Sequence, residues 1–267
     1  MHVVAILRMV PDVVEDLEVS PSGTALEPES VRLILSECDD HALQQALLLR
    51  ESRDAIVTVM VLDSLDSPET EEVLYTALAK GADAAIRVWH PERSLTTRRM
   101  ASIFARVIER DPTLKSADLI LTGVRTIADL EGPLAPLLAR RLGLPHLGPV
   151  SRMSPDFSGR SVTAIREYPN GIRGEFEVPL PAVLSIQAAG KPPRYVPVAK
   201  VRDLMMTREL KCIPSPAIDE TPVPSIQLIE MRKPRVLEHA EMLTGTHEVV
   251  ARKLRDVLVA RGLAPGV

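Results

Sequence analysis

Residues 117–142, ADLILTGVRTIADLEGPLAPLLARRL, contain a strand pattern, a turn and a helix pattern in direct succession. The apolar run 117–121 is typical of a buried parallel strand. The helix is predicted to begin near Gly132-Pro133, because proline has no N–H and the first residue of a helix does not need one. α/β proteins bind anions at such turns, because unpaired N–H groups point outward there. Here the turn carries Asp129 and Glu131, where a phosphate-binding loop usually has glycine, serine and lysine.

The same alternation of strand and helix patterns runs back to the start of the chain. Buried strands are predicted at 3–7, 56–62 and 84–88, and helices at 42–49, from Ser67-Pro68 to Gly81, at 100–108 and at 134–142. Alternating strands and helices pack best as a parallel sheet with helices on both faces. The predicted fold class is therefore α/β, with a doubly wound, mostly parallel sheet.

The pattern changes after Pro149. Two strand-like segments, 161–168 and 172–178, flank Pro169-Asn170-Gly171, and Asn-Gly is a strong hairpin signal. Residues 182–186 predict one more strand of the main sheet, because a hairpin alone is too small to form a domain.

The last quarter of the chain is predicted to be an arm. Residues 191–234 are rich in proline and are expected to run extended. A helix is predicted at 246–261, where apolar residues recur at helical spacing. This organisation, a core domain at 1–190 and an arm with a terminal helix at 191–267, suggests a subunit that wraps a partner. In the alternative interpretation, the proline-rich arm is a flexible tail.

The composition excludes several classes of function. The net charge of −4 and the aromatic content of 3% argue against binding to nucleic acid and against attraction to anionic membranes. No apolar run reaches membrane-spanning length, so direct membrane insertion is not expected. Cys38 and Cys212 are isolated thiols, which favours a reduced, cytoplasmic location.

Motifs for self-contained catalysis are absent from the sequence. It has no glycine-rich dinucleotide fingerprint, no Walker lysine loop and no nucleophile elbow. The six histidines do not occur at metal-ligand spacing, so no metal site is predicted. These residues alone indicate an α/β domain that does not catalyse a reaction by itself.

Five segments together resemble one family, the beta (small) subunits of electron transfer flavoproteins. They are the opening strand and loop 1–12, the segment 31–47, residues 76–83 (close to the family's "ALAMGAD"), Pro193-Arg194-Tyr195 (similar to "EPRY") and residues 240–246 near the C-terminal end. The matches occur in the family's order and span nearly the whole chain.

The resemblance implies an adenine-nucleotide-hydrolase-like, Rossmann-type core in a heterodimer. The family's alpha subunit holds FAD at the subunit interface, and the flavin carries electrons from flavin-dependent dehydrogenases toward the quinone pool through a quinone oxidoreductase. The beta subunit carries out no bond-making catalysis, and its own pocket holds AMP in the housekeeping branch or a second FAD in the bifurcating branch. The alternative function is a stand-alone nucleotide-binding or regulatory α/β protein without a redox role.

The family's pocket motifs fall on positions that depart from its pattern. Gly123, Ile127 and Asp129 match, but apolar or acidic residues replace the Asn-Gln-Thr or Thr-Ala-Gln donors. Residues 36–39 replace Asn-Pro-Phe-Asp, and the first loop offers Val13 toward the flavin instead of a tyrosine. The cofactor-binding residues implied by the resemblance are Ile6, Val13, Ser36, Glu37, Cys38, Asp39, Gly123, Val124, Arg125, Thr126, Asp129, Glu131, Gly132 and Leu134.

Two interpretations of the altered turn stay open. In one, Glu131 or Asp129 satisfies the N-terminus of the following helix in place of a phosphate, and the ancestral pocket is empty or weak. In the other, the acids simply start the helix, and the nucleotide enters slightly shifted with Arg125 at its phosphate.

The resemblance also places partner docking on the arm, at Tyr195 and Val198. Val198 stands near the family's leucine anchor, but the lysine-rich tail that usually follows is missing. This departure predicts a different set of dehydrogenase partners.

Overall fold

A computed structural model describes residues 1–64, 67–92, 95–130, 132–156, 159–218, 226, 228–233, 240 and 242–265. The chain divides into two compact units, Met1–Ile229 and Glu230–Val267.

The described strands are, in chain order, β1 (His2–Leu7), β2 (Met9–Pro11), β3 (Leu33–Leu35), β4 (Ile56–Asp63), β5 (Ala84–Trp89), β6 (Leu119–Gly123), β7 (His146–Val150), β8 (Arg152–Asp156), β9 (Ser161–Glu167), β10 (Arg173–Pro179), β11 (Ala182–Ile186) and β12 (Lys211–Pro214). The described α-helices are α1 (Glu37–Arg53), α2 (Pro68–Lys80), α3 (Thr97–Arg110), α4 (Pro112–Lys115), α5 (Leu134–Leu142), α6 (Val198–Thr207) and α7 (His247–Ala260). Short 3-10 turns lie at Pro28–Ser30 and Pro169–Gly171.

A seven-stranded sheet forms the centre of the first unit, in the order β12-β5-β4-β1-β6-β11-β7. Each neighbouring pair in it is parallel. All six residues of β1 are buried, as expected for a continuous apolar strand covered on both faces. The predicted α/β class with a parallel sheet is confirmed.

Helices cover both faces of this sheet. Alternate side chains of β1 face opposite ways, so that Val3 packs in a cluster with residues of α1 and α2, whereas Val4 packs in a cluster with residues of α3 and α5. The first two crossovers therefore place α1 and α2 on one face and the later ones place α3 and α5 on the other, so the sheet is doubly wound. The chain order of the strands reverses between β1 and β6, and ligands of such sheets bind outside the carboxyl ends of the strands at that point.

The predicted hairpin is confirmed as strands β9 and β10 of a separate antiparallel sheet, which also contains β8. Asn170 and Gly171 both have positive φ, 63° and 73°. Only residues that tolerate the left-handed region turn the chain this tightly.

The interval 191–234 is not uniformly extended, which corrects the expectation from its prolines. The proline-free segment 198–207 forms α6, which packs against α2 and buries Val201. Strand β12 then pairs with β5 at the edge of the main sheet. Pro222, Pro224 and Pro234 lie outside the described residues, and the domain division at residue 190 stays a prediction.

The second unit contains helix α7, and none of the residues of this helix is buried. Across the ranges that the structure describes, no helix has the length and apolar content needed to cross a membrane.

Candidate functional site

The carboxyl ends of β1 and β6 lie side by side, and the start of α1 is pressed against them. The amide of Gly123 donates a hydrogen bond of 2.6 Å to the Asp39 carboxylate, in the first turn of α1. A Cβ atom on residue 123 would stand 2.6 Å from both the carbonyl carbon and the Cβ of Cys38. Only glycine allows the helix to approach the strand end this closely.

Arg8 follows β1 and joins two carboxylates beneath this point. Its Nε and Nη2 donate to Asp39 at 3.0 and 3.2 Å, while its Nη1 donates to both oxygens of Asp129 at 3.0 and 2.8 Å. The side chains of Arg8, Asp39 and Asp129 are 5%, 0% and 3% exposed. The three residues, here called the buried triad, carry a formal net charge of −1.

The surroundings shift the pKa values of Asp39 and Arg8 in ways that their contacts explain. Burial raises the pKa of the Asp39 carboxyl, and the Arg8 guanidinium and the Gly123 amide offset only part of that rise. Burial alone would lower the pKa of Arg8, but the two carboxylates outweigh it and raise that pKa. Arg8 therefore stays a cation, and Asp39 accepts hydrogen bonds from N–H donors on both sides.

Above the triad lies a cavity of about 690 Å³, here called the crevice cavity. Its walls come from β2 and the loop after it, from the end of β3 and the start of α1, and from the segment between β6 and α5. The lining residues are Val10, Pro11, Val13, Ile34, Leu35, Ser36, Glu37, Cys38, Arg125, Thr126, Ile127, Asp129, Gly132 and Pro133. Most of these walls are apolar, and their charged residues are Glu37, Arg125 and Asp129. Asp129 is paired with Arg8, whereas in the described part of the chain neither Glu37 nor Arg125 has an ion-pair partner.

Two helix N-termini belong to this cavity wall. Helix α1 begins after Ser36 and α5 begins after Pro133, and neither of these capping residues accepts a side-chain hydrogen bond from the helix. The first N–H groups of a helix are unpaired within the helix, so both ends attract negative charge.

A second cavity of about 480 Å³ adjoins the first and shares Cys38, Arg125 and Pro133 with it. Its polar lining includes His146, whose Nε2 lies 3.3 Å from the Ser185 hydroxyl. Burial lowers the pKa of His146, and the charge of Arg166 lowers it further.

The sequence model of one family, described as "Electron transfer flavoprotein domain", matches residues 24–208, which is more than half of the chain. The chain belongs to the electron transfer flavoprotein family. Together with the relatives named below, this match confirms the resemblance to the family's beta subunits and the predicted beta-subunit role. The comparisons do not support the alternative of a stand-alone binding protein.

Individual relatives agree with this assignment. The chain is 27% identical to "Electron transfer flavoprotein subunit beta" of Methylophilus methylotrophus, over 76% of this chain and 75% of the relative. It is 30% identical to "Protein FixA" of Azorhizobium caulinodans, over 71% and 66%. It is 26% identical to the mitochondrial beta subunit of Oryza sativa subsp. japonica, over 97% and 100%.

The structure of this electron transfer flavoprotein chain brings most of the predicted cofactor-binding residues to the crevice cavity. Those that line it are Val13, Ser36, Glu37, Cys38, Arg125, Thr126, Asp129 and Gly132. Asp39 and Gly123 lie buried beneath it, while Val124 lines the second cavity. Ile6 and Leu134 are fully buried in the core, and Glu131 lies outside the described residues.

Asp129, one of the two acids considered for the N-terminus of α5, is held elsewhere; Glu131, the other, lies outside the described residues, so that interpretation stays a prediction for Glu131. Asp129 accepts from Arg8, from the amide of Thr126 at 2.7 Å and from the hydroxyl of Thr97 at 3.4 Å. Among the described residues, none of these donors belongs to the first turn of α5, which begins at Leu134. Arg8 is the stronger attraction because it is a buried cation that can hold both oxygens of one carboxylate.

Arg8 is a residue of the candidate site that the sequence reasoning missed. The signal was a cation placed directly after a fully apolar predicted strand, at the end where ligands of parallel sheets bind. Such a cation has to be paired when the strand end is buried.

The predicted docking residues lie on a part of the arm that is firmly held to the core. The amide and Nε of Arg194 both donate to the Gln44 side chain, and its Nη1 contacts Glu51 at 2.6 Å. Lys200 donates to the carbonyl of Ala79 at the end of α2. Between these anchors Tyr195 is 83% exposed and Val198 is 55% exposed.

Proposed function

We propose that this chain works as the beta subunit of a heterodimeric electron transfer flavoprotein and binds an adenine nucleotide in the crevice cavity. An FAD-binding alpha subunit packs against it, and the flavin carries electrons from flavin-dependent dehydrogenases toward a quinone oxidoreductase and the quinone pool. The chain itself makes and breaks no bonds, and it acts in the cytoplasm.

The crevice cavity at the reversal of strand order is the observation that carries this proposal. It combines apolar walls with one guanidinium, Arg125, and the N-termini of α1 and α5. A nucleotide needs an apolar surface for its base and positive charge for its phosphate. Arg125 would hold the phosphate, and Glu37 can accept hydrogen bonds from the ribose hydroxyls.

The carboxylates of the site limit where a phosphate could bind. Asp129 and Asp39 share the single guanidinium of Arg8, which leaves one net negative charge beneath the cavity, and Glu37 adds another at its wall, so the phosphate would have to lie at Arg125. Because Arg8 holds Asp129, Asp129 does not fill the place of a phosphate, which supports Arg125 as the cation that meets it; Glu131, the other acid of the empty-pocket interpretation, lies outside the described residues.

A second FAD is the other candidate for this site. The two cavities meet at Cys38, Arg125 and Pro133, so that Arg125 and the start of α5 stand where the lobes join. A dinucleotide would place its pyrophosphate at such a junction and one ring system in each lobe. AMP would occupy only one lobe.

The surface around the cavity mouth is suited to the flavin-bearing partner. Val13 and Val14 on the first loop, and Ile127 and Leu130 on the loop after β6, are all more than half exposed. Aliphatic groups at this mouth would exclude water from a flavin, and Val13 would contact the flavin. The flavin supplies the redox chemistry, and this chain positions it and shields it from solvent.

The arm provides the proposed docking surface for dehydrogenases. Tyr195 and Val198 project from a segment that Arg194 and Lys200 hold in place. A rigid, exposed apolar anchor loses little conformational entropy when it enters a partner's pocket.

The test is to co-purify the chain with its candidate alpha subunit, denature the complex and count the released cofactors per heterodimer. One FAD with one AMP supports the first candidate, and two FAD support the second. One FAD alone restores the empty-pocket interpretation. Absence of both a complex and flavin would overturn the proposed function.

A further inference from the structure

The loop after β6, residues 124–130, is held at both ends by polar contacts. Directly before its start, the amide of Gly123 donates to the Asp39 carboxylate at 2.6 Å. At its far end, Asp129 is held by Nη1 of Arg8 through both carboxylate oxygens. The contact with Arg8 spans 121 positions in sequence and joins this loop to the end of β1.

Burial contributes little to holding the loop. Ile127 and Leu130 are 61% and 56% exposed, and Arg125 and Ala128 are also exposed. The Asp129 side chain is the buried exception, and it also accepts the amide of Thr126, which folds the loop back on itself. The position of the loop therefore depends on polar anchors more than on packing.

The same loop carries the cation of the crevice cavity. Arg125 stands four residues before Asp129 and lines both cavities. If the loop moved away from the buried triad, which forms the floor of the crevice cavity, it would carry this guanidinium with it. The cavity would then lose the positive charge of Arg125.

We propose that Arg8 is a positioning residue: by holding Asp129 it fixes the loop 124–130 over the floor of the crevice cavity, so that Arg125 faces the ligand. The part of this inference that concerns nucleotide binding rests on the proposed function. The part that concerns the loop does not.

The experiment measures tryptic cleavage of the Arg125–Thr126 bond in the complete chain, followed by mass spectrometry. Arg8→Lys keeps a cation beside Asp39 but removes the fork, and Asp129→Asn keeps the Arg8–Asp39 pair. Arg50→Lys is the matched control, because Arg50 forms a forked pair with Asp83 elsewhere on the surface. None of the three substitutions adds or removes a trypsin site, because trypsin cleaves after both arginine and lysine.

Both site variants should be cut at this bond about tenfold faster than the wild type, the change expected when one charge-assisted hydrogen bond is lost. The control should be cut at the wild-type rate. Unchanged cleavage in both site variants would overturn the proposal. So would a parallel acceleration at all tryptic sites, because that indicates only a loss of overall stability.

Titration with AMP and with FAD separates the two levels of inference. If either ligand binds the wild type, its Kd should rise about tenfold in Arg8→Lys and stay constant in the control. An unchanged Kd would overturn the proposed role toward the ligand. If neither ligand binds the wild type, the nucleotide part of the proposed function fails, and the cleavage rates still decide whether Arg8 holds the loop.

Discussion

Gly123 and Asp39 are joined by a hydrogen bond of 2.6 Å between the end of β6 and the first turn of α1. The same carboxylate accepts the amide of Arg8, at 3.1 Å, from the neighbouring strand end. One aspartate therefore ties two parallel strands to one helix at the point where the strand order reverses. The crevice cavity is built on this junction.

Gly123→Ala should be strongly destabilising. The new Cβ would stand 2.6 Å from backbone and side-chain atoms of Cys38, so α1 would have to move away from the strand end. Overpacking of this kind costs roughly 1–3 kcal/mol, and the stretched Asp39 contact adds to it. Urea unfolding of the purified variant measures the loss.

Gly190→Ala is the control for this substitution. Its Cβ would meet Leu48 at 3.7 Å, which is an ordinary van der Waals contact. Its free energy of unfolding should match that of the wild type. Equal stabilities for the two alanine variants would contradict the assigned close approach at Gly123.

Arg8→Gln should lower the free energy of unfolding by about 3–5 kcal/mol, because removing one partner leaves two buried carboxylates uncompensated. Arg50→Gln removes a comparable fork from a side chain that is 43% exposed, and solvent screening should leave stability nearly unchanged. Chemical denaturation of both variants at neutral pH provides the comparison. A small effect at Arg8 would mean that the triad relaxes or admits water when the guanidinium is lost.

Most of the main sheet could be predicted from the sequence because its strands are continuous apolar runs bounded by helix signals. For α2 the bounds were correct, since Ser67-Pro68 and Gly81 mark a helix start and stop. Strand β12 was missed because only its pairing with β5, 125 residues earlier at Ile86, makes Lys211–Pro214 a strand. Helix α6 was hidden by the prolines around it.

The sequence predicts where the residues of the candidate site lie, but not which side chains pair with each other there. Parallel strands bring residues 36–39 and the loop after β6 to one edge of the sheet, and the fold class implies this. The partner of Asp129 could not be derived, because a nearby helix N-terminus and a distant arginine both attract a carboxylate. Distance in the folded chain decides between them, and Arg8 is 2.8 Å away.

His146 should make stability depend on pH. The folded protein lowers the pKa of His146 through burial and Arg166, whereas the unfolded chain has the ordinary imidazole value of about 6.5. As pH falls below that value, the unfolded state takes up the proton first, so the free energy of unfolding falls. The contribution is fully present above the unfolded pKa.

The measurement is a series of urea titrations between about pH 8 and pH 5 on the wild type and His146→Gln. The difference in unfolding free energy between the two proteins should decrease as the pH falls through this window. A difference that stays constant with pH would show that His146 titrates alike in the folded and unfolded states.

Val198→Asp should abolish electron transfer from dehydrogenases to the heterodimer while leaving its flavin content unchanged. Val198 begins α6 and is 55% exposed, so a carboxylate there disturbs no core contact but places a charge in any apolar partner pocket. Ile172→Asp, at a similarly exposed position (61%) beside the hairpin turn, controls for added surface charge. Steady-state reduction of the flavin by a partner dehydrogenase measures both variants. Full activity of Val198→Asp would remove Val198 from the docking surface, and equal loss in both variants would make the effect one of charge alone.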